Sequence, residues 1–412
     1  MPGKPPKSVA GFSAWILVGL LFFAAIVNYI DRGSLSVAAP RLGPDLSLSP
    51  TQMGFLLSAF FWTYTACQLL SGWLADRFPV VWVFGIGFFI WSAATIGSGF
   101  AGGLVSLAAL RFLLGAGESV AFPCYSKVVA AGFPVDRRGL PNSLIDAGTK
   151  LGPAIGTLAG GLLVARYGWR AMFIGVGLGS LAWLVPWLLL ARRFQPAEIA
   201  GPPDPGPSML AIAARKDAWG TFIGNFCYTY AYYFLLTWLP SWLVTARHVS
   251  LETMAVLGSL PFWGGALSAV ACGWISDTWI RRGGSPTRVR KTFVVAGLLL
   301  STVMVPAAMV PDLRLSITLL CVAYAAFGMY ASNHWAITQT LAGTAAAGKW
   351  TGLQNTVGSL SGIVAPIATG MLVQSTGSFY WAFVSPAVLA LVGVCCYMFL
   401  VGEVAPVKWK NE

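Results

Sequence analysis

Twelve stretches of about twenty predominantly apolar residues follow one another along this chain, each bounded by charge or by Pro and Gly. Their approximate limits are 13–39, 53–74, 81–100, 104–126, 141–165, 169–191, 219–245, 254–276, 292–310, 315–340, 350–374 and 379–401. A bilayer core is about 30 Å thick, so a helix needs roughly 20 apolar residues to cross it. Within lipid the backbone must satisfy its own hydrogen bonds, and a barrel would show alternating segments of about ten residues. The expectation is therefore an all-α membrane protein with twelve transmembrane helices.

Composition agrees and removes several classes of function. The chain is 57% hydrophobic and 10% charged, where soluble domains carry about 25% charge. Its 18 Trp, 25 Phe and 12 Tyr are incompatible with disorder. The 7 Cys lie inside apolar runs, with no CxxC pair and no His at metal-ligand spacing, and read as small hydrophobes. A formal charge of +12 would suggest nucleic acid in a soluble chain, but here the basic residues fall between apolar segments and form no single stripe. No GxxxxGK[ST] loop, strand-flanked GxGxxG or nucleophile elbow occurs, so neither ATP drive nor enzymatic catalysis is expected, and no cofactor is implied.

The first span follows Lys4 and Lys7 as a secretory signal would, but it runs on through Asn28-Tyr29-Ile30-Asp31-Arg32. A cleavable apolar region would stop earlier, so the span is expected to be retained. With the N-terminus cytoplasmic, 18 of the 26 Lys and Arg lie inside, five lie outside and three fall within spans. This positive-inside bias places both termini in the cytoplasm of a multi-pass protein in the cytoplasmic (inner) membrane of a bacterium.

The longest polar, Pro-rich stretch runs from Arg192 to Asp217 and divides the spans six and six. The organisation expected is a bundle over 1–191, a cytoplasmic linker over 192–217 and a second bundle over 218–412. Gly72-Trp-Leu-Ala-Asp76 after span two recurs as Gly273-Trp-Ile-Ser-Asp277 after span eight, and Asn142 to Pro153 matches Asn355 to Pro366. Two matches at equivalent spans indicate a duplicated six-helix unit, an arrangement of secondary transporters that bind substrate at the midplane.

On these motifs the chain resembles the major facilitator superfamily, and within it the anion:cation symporter family, which includes bacterial transporters of sugar acids. The resemblance rests on the two loop motifs, on Arg111-Phe-Leu-Leu-Gly115-Ala-Gly117, and more narrowly on Asn28 to Arg32 with Glu118. Pro79 stands where the first loop motif usually has Gly. The resemblance implies a monomeric two-bundle fold, with Asp76, Arg77, Asp277, Arg281 and Arg282 gating the cytoplasmic side. It also implies that an arginine holds the substrate carboxylate while Asp31 and Glu118 take up protons.

The residues themselves point the same way. A charge at the bilayer centre costs at least about 2.5 kcal/mol on insertion scales, so each one retained needs a partner or a task. Arg111 and Glu118 lie seven apart on one helix face and can share a cavity. Asp31 and Arg32 diverge by about 100° around their helix, leaving Asp31 free to meet Arg111. These groups could simply neutralise one another, but a substrate anion that takes an arginine leaves a carboxylate without its counter-ion, and that carboxylate's proton affinity rises. Asp146 and Lys150, at i and i+4, read first as an ordinary ion pair, and alternatively Lys150 is a second anion contact. Tyr29, Tyr64 and Gln68 offer groups to a hydroxylated substrate, although helix packing explains the last two equally well. In the second half, Gln354, Asn355 and Ser359 are polar candidates; at Ser359 close members of the family often have Asn. Trp335 either meets the sugar-acid chain or packs against lipid. His334 reads as a packing residue.

The expected function is a proton-coupled symporter that imports a small organic anion of the hexonate, hexuronate or aldarate type, with no nucleic-acid partner. A proton-driven exporter of amphipathic compounds would want an apolar, acidic cavity without Arg32 and Arg111. A non-transporting membrane sensor would need a larger cytoplasmic segment than the 26 residues of the linker.

Overall fold

The computed structural model describes residues 12–133, 139–191, 207–407 and 409. Regular structure among the described residues is helical throughout. The first half contains α1 (Phe12–Asp45), α2 (Pro50–Arg77), α3 (Val80–Ser98), α4 (Leu104–Glu118), α5 (Ala121–Gly132), α6 (Gly139–Ile155) and α7 (Gly161–Leu190). The second contains a short α8 (Met209–Ala213), then α9 (Lys216–Thr245), α10 (Leu251–Arg281), α11 (Pro286–Ser301), α12 (Met304–Met309), α13 (Leu313–Thr376) and α14 (Tyr380–Cys395). Most of the expected linker lies outside the described residues, and its last part forms α8 and the start of α9.

Nine segments among the described residues are long and apolar enough to cross a membrane. One of them, Leu140–Leu190, is two crossings, because Gly168 turns the chain at a φ of +82°. With α2 and α9 the total is the twelve expected. Those two helices are less apolar because hydroxyl, amide and phenol side chains such as Thr63, Tyr64, Gln68, Asn225 and Tyr228 interrupt them. Gly343 (φ +62°, ψ −174°) performs the same turn inside α13, between the tenth and eleventh crossings. Only glycine takes this conformation without strain, so both connections are continuous helix broken at one residue.

The helices form two six-helix bundles. α1 packs on α6, α2 on α4 and α3 on α7 in the first, and α13 packs on α9, α10 and α11 in the second. Call the end where α1 begins the near end. At the opposite, far end the bundles are pressed together. The Ser36 hydroxyl lies 2.8 Å from the Leu236 carbonyl and 2.7 Å from that of Thr237 on α9. Gly54 on α2 comes so close to α13 that a Cβ there would stand 2.5 Å from the Pro366 carbonyl oxygen. A shallow hollow of about 520 Å³, lined by Pro40, Pro44, Trp238 and Phe379 among others, sits outside this seal. α6 contributes to it too. Pro153 lacks an N–H, the helix widens into a π turn over Gly156–Gly160, and beyond it Gly161 meets Ala255 of α10.

Toward the near end the bundles part. Gly348 and Gly352 on α13 have no atom within 4 Å of an added Cβ, and Asn355 and Asp146 are exposed. Among the described residues, the bundles are thus closed on each other at the far end and apart at the near end.

Candidate functional site

Two groups of buried charge lie in the first bundle, and the 100° between neighbouring residues on α1 separates them. Arg32 turns toward α2 and α4. Its Nη2 donates to Glu118 Oε2 at 3.1 Å, with side-chain exposures of 4% and 0% for the two partners. The same nitrogen reaches Asn28 Oδ1 at 3.3 Å. Three rings surround the guanidinium, with centroids 4.5 Å (Tyr29), 4.7 Å (Phe60) and 4.8 Å (Tyr64) away. A cation between aromatic faces is held without being consumed as a hydrogen-bond donor, and Arg32 Nε and Glu118 Oε1 remain without a partner. Gly115 allows the approach of α2 and α4 that builds this nest: a Cβ there would stand 2.2 Å from the Phe60 carbonyl oxygen.

Asp31 points into the bundle. Its carboxylate accepts from Thr95 Oγ1 of α3 at 3.0 Å and from Ser180 Oγ of α7 at 3.3 Å. Arg111 does not meet that carboxylate, as the sequence suggested. It reaches α1 at the Asp31 carbonyl oxygen (3.4 Å) and at Ser34 Oγ (3.2 Å), one turn further on, over the Phe173 ring. The cause is direction: Asp31 leaves α1 toward α3 and α7, whereas Arg111 approaches where Ser34 faces α4. Arg111 thus joins Asp31's neighbourhood and Glu118 joins Arg32's, although the two lie on one helix face.

Thr95 and Ser180 escaped the sequence reading, since lone hydroxyls in apolar helices usually bond a carbonyl of their own helix. Ser180 does so as well, at Val176. Tyr64 is buried and stacked on Phe60, and Gln68 is half-buried one turn along α2.

Lys150 and Asp146 form the expected i, i+4 pair, but loosely, at 3.9 Å, and the Asp146 side chain is 68% exposed. Lys150 also borders a nook of about 30 Å³ whose other walls, including Tyr228, Tyr232 and Tyr324, belong to the second bundle. There the candidates are uncharged. Gln354 Oε1 accepts from Thr338 at 2.6 Å, and its main-chain oxygen accepts from Asn225 Nδ2 at 3.3 Å. Gln354 Nε2, Asn225 Oδ1 and His334 Nε2 are buried without partners. His334 stacks on Tyr330 and touches Trp335, which is half-buried. Asn355 is exposed and Ser359 buried on α13.

Asp277 pairs with Arg290 of α11 at 2.6 Å, and Arg290 also donates to Ser276 and Asn333. Arg281 bonds Thr278 of its own turn, and Arg282 is exposed. Arg281 and Arg282 lie at the end of α10, and Arg290, which the sequence reading did not single out, folds back beside Asp277. In the first bundle Arg77 is exposed, and the Asp76 side chain lies outside the described residues.

Comparison with known proteins matches this architecture. The family model of the Major Facilitator Superfamily matches residues 21–366. A probable galactarate/D-glucarate transporter of Bacillus subtilis is 31% identical over 97% of this chain and 94% of its own length. A protein of the same description from Escherichia coli is 33% identical over 96% of this chain and 95% of its own. Among solved structures, a bacterial homologue of the human lysosomal transporter Spinster, in an inward-facing and unoccupied conformation, superposes with a TM-score of 0.81 at 18% identity, covering 97% of this chain and 98% of that one. The chain, a membrane protein of twelve helices with buried charge at the junction of its bundles, belongs to the Major Facilitator Superfamily.

Proposed function

We propose that this protein imports a sugar acid together with protons by alternating access between its two bundles. The observation that carries the reading is the Arg32–Glu118 pair, buried at the first bundle's inner wall among Tyr29, Phe60 and Tyr64. The guanidinium's planar fork fits a carboxylate with two parallel hydrogen bonds. A substrate carboxylate that takes this fork displaces Glu118, and a carboxylate stripped of its counter-ion in a poorly solvated site takes up a proton. Anion and proton then load together, one proton offsetting each carboxylate charge, so that a dicarboxylate requires a second proton and the loaded site keeps its starting net charge as the bundles close over it. The relatives described as galactarate/D-glucarate transporters supply the substrate class.

In this reading Asp31 is a second proton site that faces the interior of the bundle, and Gln354, Asn225 and Trp335 meet the hydroxylated chain of the substrate. One polypeptide supplies both halves of the site, so a monomer suffices. The positive-inside distribution supports a near end in the cytoplasm of a bacterial inner membrane, with lobes 1–191 and 218–412 rocking against each other.

Vesicles containing the purified protein test this directly. An acid-outside gradient should drive accumulation of radiolabelled galactarate, and Glu118→Gln should abolish accumulation while leaving galactarate exchange measurable. Equilibrium binding should tighten as pH falls, by up to about tenfold per pH unit for each proton taken up with the substrate. Undiminished accumulation by the Gln variant would remove Glu118 from coupling.

A further inference from the structure

Lys150 belongs to α6 of the first bundle, yet the nook it borders is walled by α9, α10 and α13 of the second. It is the only charged residue among those lining that nook. The cavity of about 30 Å³ exceeds the 10–15 Å³ that one water requires, so it accommodates a group the size of a carboxylate. Tyr324, one of its walls, is 2% exposed and its hydroxyl has no partner. A buried phenol left unbonded costs about 1–3 kcal/mol, which a ligand acceptor in the nook would recover.

The competing claim on Lys150 is weak. Its carboxylate neighbour Asp146 stands 3.9 Å away, beyond hydrogen-bond length, with most of its side chain in solvent. An ammonium has three donors, so Asp146 leaves at least two for another acceptor. Arg32 lies close by: its guanidinium stands 4.5 Å from the Tyr29 ring, and Gly152, two residues along α6 from Lys150, packs so tightly on Tyr29 that a Cβ there would stand 2.5 Å from the Tyr29 Cβ. From the other wall Tyr232 of the nook packs on Tyr233, which meets Phe61 of α2. The two cations thus lie on adjoining stretches of α1 and α6, the first in a nest of rings and the second against the second bundle's nook.

We infer that Lys150 and Tyr324 form a second carboxylate subsite, so that the transporter prefers sugar dicarboxylates, held by Arg32 at one end and Lys150 at the other, over sugar monocarboxylates. This rests on the proposal that a sugar acid binds at Arg32. It adds that the far carboxylate bridges the bundles, because Lys150 brings a first-bundle charge to a second-bundle pocket. A dianion joins the two walls that must approach for the near end to close, and a monocarboxylate leaves Lys150 and Tyr324 unengaged.

Equilibrium binding of galactarate (two carboxylates) and galactonate (one) to the purified protein tests it, with wild type, Lys150→Gln, Lys150→Arg and Tyr324→Phe compared. A hydrogen bond to a charged group contributes about 1.5–3 kcal/mol, so wild type should bind galactarate at least about tenfold more tightly. Lys150→Gln should lose that preference while binding galactonate within about threefold of wild type, which also establishes that the variant is folded. Lys150→Arg should keep the preference, and Tyr324→Phe should reduce it in part. Equal binding of the two acids by wild type, or equal weakening of both in Lys150→Gln, overturns the subsite while leaving the sugar-acid reading intact. Failure of wild type to bind either acid defeats the sugar-acid reading, and the subsite falls with it.

Discussion

Glu118 and Asp31 are both fully buried, and the contrast between their partners separates two tasks that buried carboxylates can perform. Glu118 is paired with Arg32, the cation that the substrate claims in the proposed mechanism. Asp31 is held by two hydroxyls deep within one bundle, where no substrate carboxylate can displace its partners. An ion pair responds to a competing anion, whereas a hydroxyl cage responds only to movement of the helices that bear it. The adjacency of Asp31 and Arg32 on α1 links the two: under the proposed mechanism, a ligand that draws on Arg32 acts on the helix that also carries Asp31.

The sharpest way to break this contrast is Arg32→Lys. An ammonium keeps the charge opposite Glu118 but lacks the fork and the flat face that three rings enclose. Galactarate affinity should fall by about a hundredfold, equivalent to about 2.7 kcal/mol, while the thermal midpoint changes little because Glu118 retains a partner. Near-normal affinity would remove Arg32 from the site. Arg32→Ala is the less informative variant, since stripping one partner from a buried pair costs about 3–5 kcal/mol of stability by itself.

Thr95→Val sharpens the other side. It removes the 3.0 Å hydroxyl from Asp31 and preserves side-chain volume, so the fold should hold. That hydroxyl favours the anionic carboxylate, so its loss should move the pH profile of galactarate uptake toward higher pH, by about one unit for about 1.4 kcal/mol. The same substitution should leave galactarate affinity at fixed low pH within about twofold. An unmoved profile with a uniform loss of activity would reduce Thr95 to packing.

The first bundle's charges were legible because a charged residue in a span of apolar ones has no inconspicuous explanation. The twelve crossings were legible from the length and spacing of the apolar runs, whose limits of 141–165 and 169–191 bracket the place where Gly168 turns the chain. Pairing was not. Periodicity gives the direction in which Asp31 and Arg32 leave α1, but which of α3, α4 or α7 stands there depends on bundle geometry that no single helix encodes. Thr95 and Ser180 carried no signal against a background of hydroxyls serving their own helices, and Lys150's place beside the second bundle depends on where α9, α10 and α13 stand, which α6 alone does not encode. Arg290 carried no signal, because its place beside Asp277 is set by how α11 folds back along α10.

The smallest effect should come from that last site, which tests whether the second loop motif holds the bundles together. Asp277 is 58% exposed at its side chain and its partner Arg290 also bonds Ser276 and Asn333, all within the second bundle. An exposed ion pair contributes about 0–1 kcal/mol, and the two remaining bonds keep Arg290 seated between α10, α11 and α13. Asp277→Asn should therefore lower the galactarate uptake rate by less than about threefold, with KM and thermal midpoint unchanged. A tenfold loss of rate at constant KM would mean that Asp277 leaves Arg290 during the cycle to cross to the first bundle. The near end would then be latched from the second bundle, and the difference between the bundles would extend from how they hold charge to how they close.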